Sequence, residues 1–278
     1  MGQIIWLASY PKSGNTWVRM LLNNYFDTSA TGRDLSSLDL STFGGSSKSS
    51  YRAVTDQDVD QLDDDEIAKL IPRAHSFMAN RGEGVTFVKT HNLLSTYKGT
   101  PLITPSVTRS AVYVIRNPLD IVSSVADHFG MDLDRAIDFL NDKNASTAPN
   151  AGMVRQYFCS WSMNVETWTT ELPFHVTLVK YEELHRSATE TTAYMLNDMG
   201  VKVDQAKVAR AVELSSFERL KTLENNDGFA EKSRHSDSFF REGKSGGWKD
   251  ILTKDQIDRI VGPNYQQMKR FNYLPEGY

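Results

Sequence analysis

Short apolar runs alternate with longer amphipathic stretches along most of the chain. Ile4 to Ala8, Val85 to Lys89 (VTFVK), Ala111 to Ile115 (AVYVI) and Val176 to Val179 (VTLV) are brief and apolar at nearly every position. That is the pattern of strands buried on both faces. The spacing of Trp17, Met20, Leu21 and Tyr25 predicts a helix directly after the first run. The acidic run Asp63-Asp64-Asp65-Glu66 precedes Ile67, Leu70 and Ile71 and reads as a helix start, where acids complement the macrodipole. Pro118 suits the first turn of a helix running to about His128. Further helices are predicted over 153–171, where Trp161, Val165 and Trp168 keep helical spacing, and over 182–199 with Gly200 as the stop. Residues 204–224 read as mostly helical, and a last helix runs from Lys254 to Arg270. The stretches 41–50 (STFGGSSKSS) and 141–152 read as loops, and 225–247 as a flexible polar segment.

Strands alternating with helices imply an α/β fold with a central, mainly parallel sheet flanked by helices. No internal repeat and no sharp boundary divides the chain, so residues 1–278 are taken as one domain. No apolar run approaches the ~20 residues of a membrane span. The start MGQIIWLASYPK has no basic region ahead of its short apolar stretch, so it reads as a strand rather than a signal peptide. The expectation is a cytoplasmic protein with no membrane span.

Composition narrows the partners. Of 278 residues, 40% are hydrophobic and 24% charged, and the net charge is −4. No global basic field exists to hold a nucleic acid, and none is expected as a partner. The single cysteine, Cys159, excludes an intrachain disulfide and a zinc cluster of several thiolates.

The candidate chemistry begins where the first strand ends. In an open parallel sheet, ligands bind at the carboxyl ends of the strands. Pro11-Lys12-Ser13-Gly14-Asn15-Thr16 occupies such an end and leads into a helix. The helix N-terminus offers free amides and a positive dipole end, Gly14 permits close approach of an anion, Ser13, Asn15 and Thr16 add donors, and Lys12 adds a mobile charge. A capped strand–helix turn with a solvent-facing lysine would use the same residues. The pattern G-x-x-x-x-G-K-[ST] is absent, because the lysine here precedes the glycine.

PKSGNTW after a first strand resembles the 5′-phosphosulfate loop of the cytosolic-type sulfotransferases, and in particular the bacterial enzymes that act on small molecules. Three further segments match in the family's order: Val88-Lys89-Thr90-His91, then VYVIRNPLDIVSS with Arg116 and Ser124 eight residues apart, then FFREGKSGGWK at 239–249. Weaker echoes are NVETW at 164–168, VKYEEL at 179–184 and SSF at 215–217. The resemblance implies sulfuryl transfer from 3′-phosphoadenosine 5′-phosphosulfate (PAPS) to a hydroxyl of a small-molecule acceptor. Adenosine 3′,5′-bisphosphate (PAP) would be the product, and no metal would be required.

It also assigns roles. His91 would be the general base, since an imidazole accepts a proton near neutral pH. Lys12 would meet the bridging oxygen of the donor, and Thr16 with the amides of residues 13–16 would hold the 5′-phosphate. Ser13 would bind phosphate or restrain Lys12. Lys89 would stabilise the sulfuryl oxygens or pair with an acid. Arg116 and Ser124 would read the 3′-phosphate, although Arg116 could instead form a salt bridge with Asp120. Arg241, Glu242 and Gly243 stand at the family's R-K-G, with Glu242 replacing its lysine, and would close over the same phosphate in a lid spanning 228–246. Trp17 and Phe217 would flank adenine, with Tyr181 and Ser215 as polar contacts. For His75, His128, His175, His185 and His235, surface or core roles suffice.

The acceptor pocket is expected from the loops 28–60, 92–109, 128–152 and 228–240. Lys249 and Thr253 fit the family's dimerisation motif, but Lys254 and Asp258 depart from it, so no dimer is predicted. Two other readings use some of the same residues. A P-loop-type kinase would need the missing lysine position. A non-catalytic binder of adenosine 3′,5′-bisphosphate would need neither Lys12 nor His91.

Overall fold

A computed structural model describes residues 2–29, 31–38, 42–82, 84–241 and 243–278. Strands β1 (Gln3–Ser9), β2 (Thr42–Gly44), β3 (Val85–Thr90), β6 (Thr108–Ile115) and β9 (His175–Lys180) form one parallel sheet in the order β2-β3-β1-β6-β9. Two small antiparallel pairs lie outside it: β4 (Thr96–Tyr97) with β5 (Thr100–Pro101), and β7 (Ser146–Thr147) with β8 (Gln156–Tyr157). The helices are α1 (Asn15–Phe26), α2 (Lys48–Arg52), α3 (Asp64–Ala79), α4 (Pro118–Phe129), α5 (Leu133–Asn141), α6 (Trp161–Thr169), α7 (Tyr181–Arg186), α8 (Ala188–Asp198), α9 (Gln205–Leu214), α10 (Phe217–Asp227) and α11 (Lys254–Arg270). Among the described residues no helix is long and apolar enough to cross a membrane.

The central strands are apolar over residues 4–8 and 111–115 because both their faces are covered there. In β1, Ile4, Trp6 and Ala8 join one core with residues of α3, α4, α5, α6 and α11, while Ile5 and Leu7 join a second with α1, α8 and α9. In β6, Ala111, Tyr113 and Ile115 face the first core, and Val112 and Val114 the second. Period-two side-chain alternation thus feeds two helical layers at once. The acidic run behaves as expected. Asp63 caps α3 by accepting from the amides of Asp65 and Glu66, and the Glu66 side chain accepts from the Asp63 amide.

Several segments depart from the sequence pattern for physical reasons. Within 41–50, read as a loop, Thr42–Gly44 adds an edge strand to β3 and Lys48–Arg52 is helical. Backbone pairing that the Gly/Ser composition does not signal holds it: Gly45 N donates to Lys89 O and Lys48 N to Gly152 O. The helix predicted over 153–171 is confined to 161–169, because the preceding residues form β8 and Ser160 caps the helix by accepting from Met163 N. The predicted helices over 182–199 and 204–224 are each two helices, breaking at Ser187 and at Ser215-Ser216. Residues 133–141, to which the pattern assigned nothing, form α5, with Asp132 accepting from Arg135 N.

Asn164 ties the helical layer to the functional edge of the sheet. It is fully buried in α6 and accepts a hydrogen bond from the Tyr113 hydroxyl at 2.8 Å. Its amide donates to the carbonyls of Phe158 at 3.1 Å and His91 at 3.3 Å. Replacing it with leucine, of similar size, strands these partners in a low-dielectric interior. We expect Asn164→Leu to cost about 3 kcal/mol in equilibrium urea unfolding.

Candidate active site

The turn after β1 is shaped for an anion. Lys12 and Gly14 both take positive φ, 65° and 102°. A Cβ on Gly14 would lie 2.6 Å from the Tyr181 ring, so only glycine fits both the backbone and the contact. Asn15 donates to Leu7 O at 2.8 Å, tying the start of α1 back to β1. No side chain caps α1, which leaves its first amides for a ligand. The buried Ser13 hydroxyl has no hydrogen-bond partner among the described residues.

Strand register delivers the remaining groups to the same edge. Ala8 pairs with Thr90, Ser9 with Val114, and Ile115 with Lys180. Hence the phosphate loop, His91, Arg116 and Tyr181 each begin where their strand ends. His91 Nδ1 lies 2.8 Å from Ser9 O. A carbonyl only accepts, so Nδ1 carries the proton and Nε2 of the neutral ring keeps its lone pair. Burial, followed by the Lys89 charge, pushes the His91 pKa down to about 3, so the ring is neutral at neutral pH. Arg116 does not pair with Asp120. It donates to Lys12 O at 3.1 Å and Lys244 O at 3.3 Å and lies 4.2 Å over the Tyr181 ring. Its buried Nε has no partner among the described residues. Asp120 instead accepts from the amides of Gly246 (2.8 Å) and Trp248 (3.2 Å).

Among its described residues the segment 228–246 forms no helix or strand, but contacts with the body of the protein tie it down at several points. Glu224 accepts from the amides of Phe239 and Phe240. Asp127 accepts from the Ser236 hydroxyl and lies 3.6 Å from Arg241 Nη1. Phe239 lies under Lys12 Nζ, 3.9 Å from the ring centroid. Glu231 pairs with Arg19 at 2.5 Å and Lys89 at 2.8 Å, and Thr16 Oγ1 is 3.5 Å from its carboxylate. Lys89 therefore pairs with an acid in this structure, one of the two roles its position allows. Burial pushes the Glu231 carboxyl up, but Lys89 and Arg19 outweigh that and hold it below the usual carboxylate range.

These elements enclose a cavity of about 1460 Å³. That exceeds the roughly 300–1,000 Å³ of a single small-molecule pocket and leaves room for two ligands. Lys12, Gly14, Asn15, Thr16, Trp17, Lys89, His91, Arg116, Ser124, Tyr181, Phe217, Arg241 and Gly243 line it. Ser13 does not, and neither does Ser215, which is fully buried with its hydroxyl accepting from Asn24. Glu242 lies outside the described residues. Gly243 backs directly onto Phe217, where a Cβ would come within 2.4 Å of the ring.

Of the four segments expected around an acceptor, 28–60, 128–152 and 228–240 contribute to the lining, and 92–109 contributes nothing among the described residues. Arg19, His128 and Glu231 also line the cavity, and the sequence reading missed all three. Arg19 had a signal, standing one helical turn beyond Thr16. Glu231 had none, because it lies far along the chain in a stretch with no periodicity.

A parallel α/β sheet with a glycine-bearing anion loop after its first strand defines a P-loop-like class of protein. The family model of the sulfotransferase domain matches residues 3–272, and the chain belongs to that family. Cytosolic sulfotransferase 17 of Arabidopsis thaliana is 25% identical over 96% of this chain and 75% of its own. Flavonol 3-sulfotransferase of Flaveria bidentis is 24% identical over 92% of this chain and 78% of its own. Cytosolic sulfotransferase 12 of Arabidopsis thaliana is 31% identical, but the match spans 56% of this chain and about half (49%) of that protein. In structure the chain is similar to retinol dehydratase in complex with androsterone and the inactive cofactor PAP, with TM-score 0.65 and 18% identity over 96% of this chain and 80% of that one. It is also similar to mouse sulfotransferase SULT7A1 complexed with PAP, with TM-score 0.62 and 17% identity over 96% and 85%. The cytosolic-type resemblance drawn from the motifs is borne out.

The charge on Lys12 is pH-sensitive. Burial, then repulsion from Lys89, lowers its pKa to about 8. The cation is complete below that pH and is lost as pH rises through it. Calorimetric affinity for adenosine 3′,5′-bisphosphate is expected to fall above about pH 8, approaching tenfold per pH unit. Lys12→Arg, whose guanidinium stays charged, should remove that limb.

Proposed function

We propose that this chain, as one sulfotransferase domain over 1–278, moves a sulfuryl group from PAPS to a hydroxyl of a small-molecule or natural-product acceptor, with His91 as the base. The observation that carries this reading is the His91 Nδ1–H bond to Ser9 O, made at the same sheet edge as Lys12 and Arg116. It leaves Nε2 to take the acceptor's proton as the oxygen attacks. The donor supplies an activated sulfuryl group whose departure places charge on its 5′-phosphate.

The residues suit that demand. In this reading Lys12 meets the bridging oxygen, and the α1 amides with Thr16 bind the 5′-phosphate. Ser13, whose buried hydroxyl has no partner among the described residues, is a further donor of the loop for the phosphate or for restraining Lys12. Arg116, with a buried Nε that has no partner among the described residues, and Ser124 on α4 receive the 3′-phosphate. Arg241 and Gly243 close over it from the lid. Trp17 and Phe217 present flat faces for adenine, beside Tyr181. PAP in the related solved structures supports the choice of donor. The names of the relatives, cytosolic sulfotransferases, support a cytoplasmic setting. Neither a metal nor a nucleic acid has a part in this scheme.

His91→Ala is expected to lower kcat by about 10²–10⁴ while donor affinity stays within a few-fold. Unchanged turnover would remove His91 from the base role. Arg116→Ala should weaken adenosine 3′,5′-bisphosphate far more than adenosine 5′-monophosphate, as titration calorimetry with the two nucleotides will read.

A further inference from the structure

Glu231 is the anomaly of the cavity. Among the described residues, the cations Lys12, Arg19, Lys89 and Arg116 converge at the anion end with the amino end of α1, and the other carboxylate lining the cavity, Asp120, is engaged by the amides of Gly246 and Trp248. Asp127, the other carboxylate within electrostatic reach of Lys12, is engaged by Arg241 and Ser236. Among the described residues of the lid, Glu231 is the carboxylate carried into the cluster, and its two oxygens divide between Arg19 and Lys89. Arg19 is 1% exposed, while the Glu231 and Lys89 side chains keep 23% and 22% of their surface, so the ion pairs are partly buried rather than surface contacts. The same carboxylate lies within 3.5 Å of the Thr16 hydroxyl, which belongs to the phosphate loop. A second residue of the segment, Phe239, covers the ammonium of Lys12. The lid thus meets both lysines proposed to serve the donor's 5′ end.

A carboxylate in that position makes the contacts an incoming phosphate or sulfuryl oxygen needs. It cannot stay there when such a group arrives, because two anions in contact inside a buried site repel strongly. A 5′-phosphate brings close to two charges and three oxygens against one charge and two, so it can outcompete the carboxylate, at the cost of the Glu231 ion pairs. We propose that Glu231 is an internal occupant of the 5′-anion subsite, displaced by the donor, and that it sets how strongly the site discriminates nucleotides with a 5′ anion from those without one. This rests on the donor assignment above and goes beyond it.

The consequence is specific. A nucleotide with only a 3′-phosphate leaves Glu231 seated and gains nothing from its removal. A nucleotide with both phosphates must break two partly buried ion pairs, and without the carboxylate it keeps that free energy. Were Glu231 instead a tether that holds the lid shut over the donor, its removal would weaken both nucleotides.

The test is titration calorimetry of adenosine 3′,5′-bisphosphate and adenosine 3′-monophosphate against the wild type, Glu231→Gln and Glu231→Ala. Thermal unfolding of the nucleotide-free proteins confirms that each variant is folded. We expect the bisphosphate to bind both variants about tenfold more tightly than the wild type, and the monophosphate to stay within about twofold. Weaker bisphosphate binding, an unchanged affinity, or equal shifts for the two nucleotides would overturn the inference and leave the donor assignment standing. Failure of the bisphosphate to bind the wild type and both variants would overturn the donor assignment and the inference together. Should the glutamine variant not fold, the alanine variant decides the same comparison.

Discussion

The position of β1 between two parallel neighbours is the constraint on which the site depends. Its pairings with β3 and β6 bring the ends of the three strands level, Ala8 beside Thr90 and Ser9 beside Val114. The phosphate loop, His91 and Arg116 are the first residues beyond those ends, so their proximity follows from the pairing alone. A slip of one residue would exchange the two faces of a strand. Ile5 and Leu7 would then meet the core built for Ile4, Trp6 and Ala8, which includes the T-shaped contact of Trp6 with His75. The packing of two helical layers on one sheet therefore guards the geometry of the site.

The edge so defined gathers cations that are unfavourable when buried together. Lys12 shows the strain in a lowered pKa, with burial as the largest cause and the neighbouring cations adding to it. The protein answers with groups from distant parts of the chain. Arg116 rests on the Tyr181 ring, Lys12 on Phe239, and Arg19 with Lys89 on Glu231. These contacts hold the cations at the sheet edge. The same field acts on His91: burial and Lys89 keep its ring neutral but lower its basicity, which an anion bound at that edge would raise again, and Ser9 O fixes which nitrogen carries the proton.

Much of this could be read in advance. The four long strands of the sheet appear as apolar runs, because burial on both faces leaves no polar alternation. The loop and the histidine, arginine and aromatic positions lie in motifs beside those runs, so a local pattern locates them. The short strand β2 does not announce itself, since Thr42–Gly44 has neither length nor apolar character and owes its conformation to the edge of β3. The divided helices are also invisible in period alone, because the serines at which they break resemble the polar positions of one continuous helix. Ser215 illustrates a motif residue whose environment could not be inferred. Its hydroxyl turns into the interior and accepts from Asn24 rather than facing the cavity.

By itself the sequence determined the alternation of strand and helix, the anion loop and the family, because each is written in residues adjacent along the chain. Only the tertiary structure decided what compensates the charges at the sheet edge: Glu231 with Arg19 and Lys89, Asp127 with Arg241, Asp120 with the amides of Gly246 and Trp248. The physical reason is that a charge is satisfied by distance in space. Partners separated by more than a hundred residues leave no periodic trace of their meeting in the sequence.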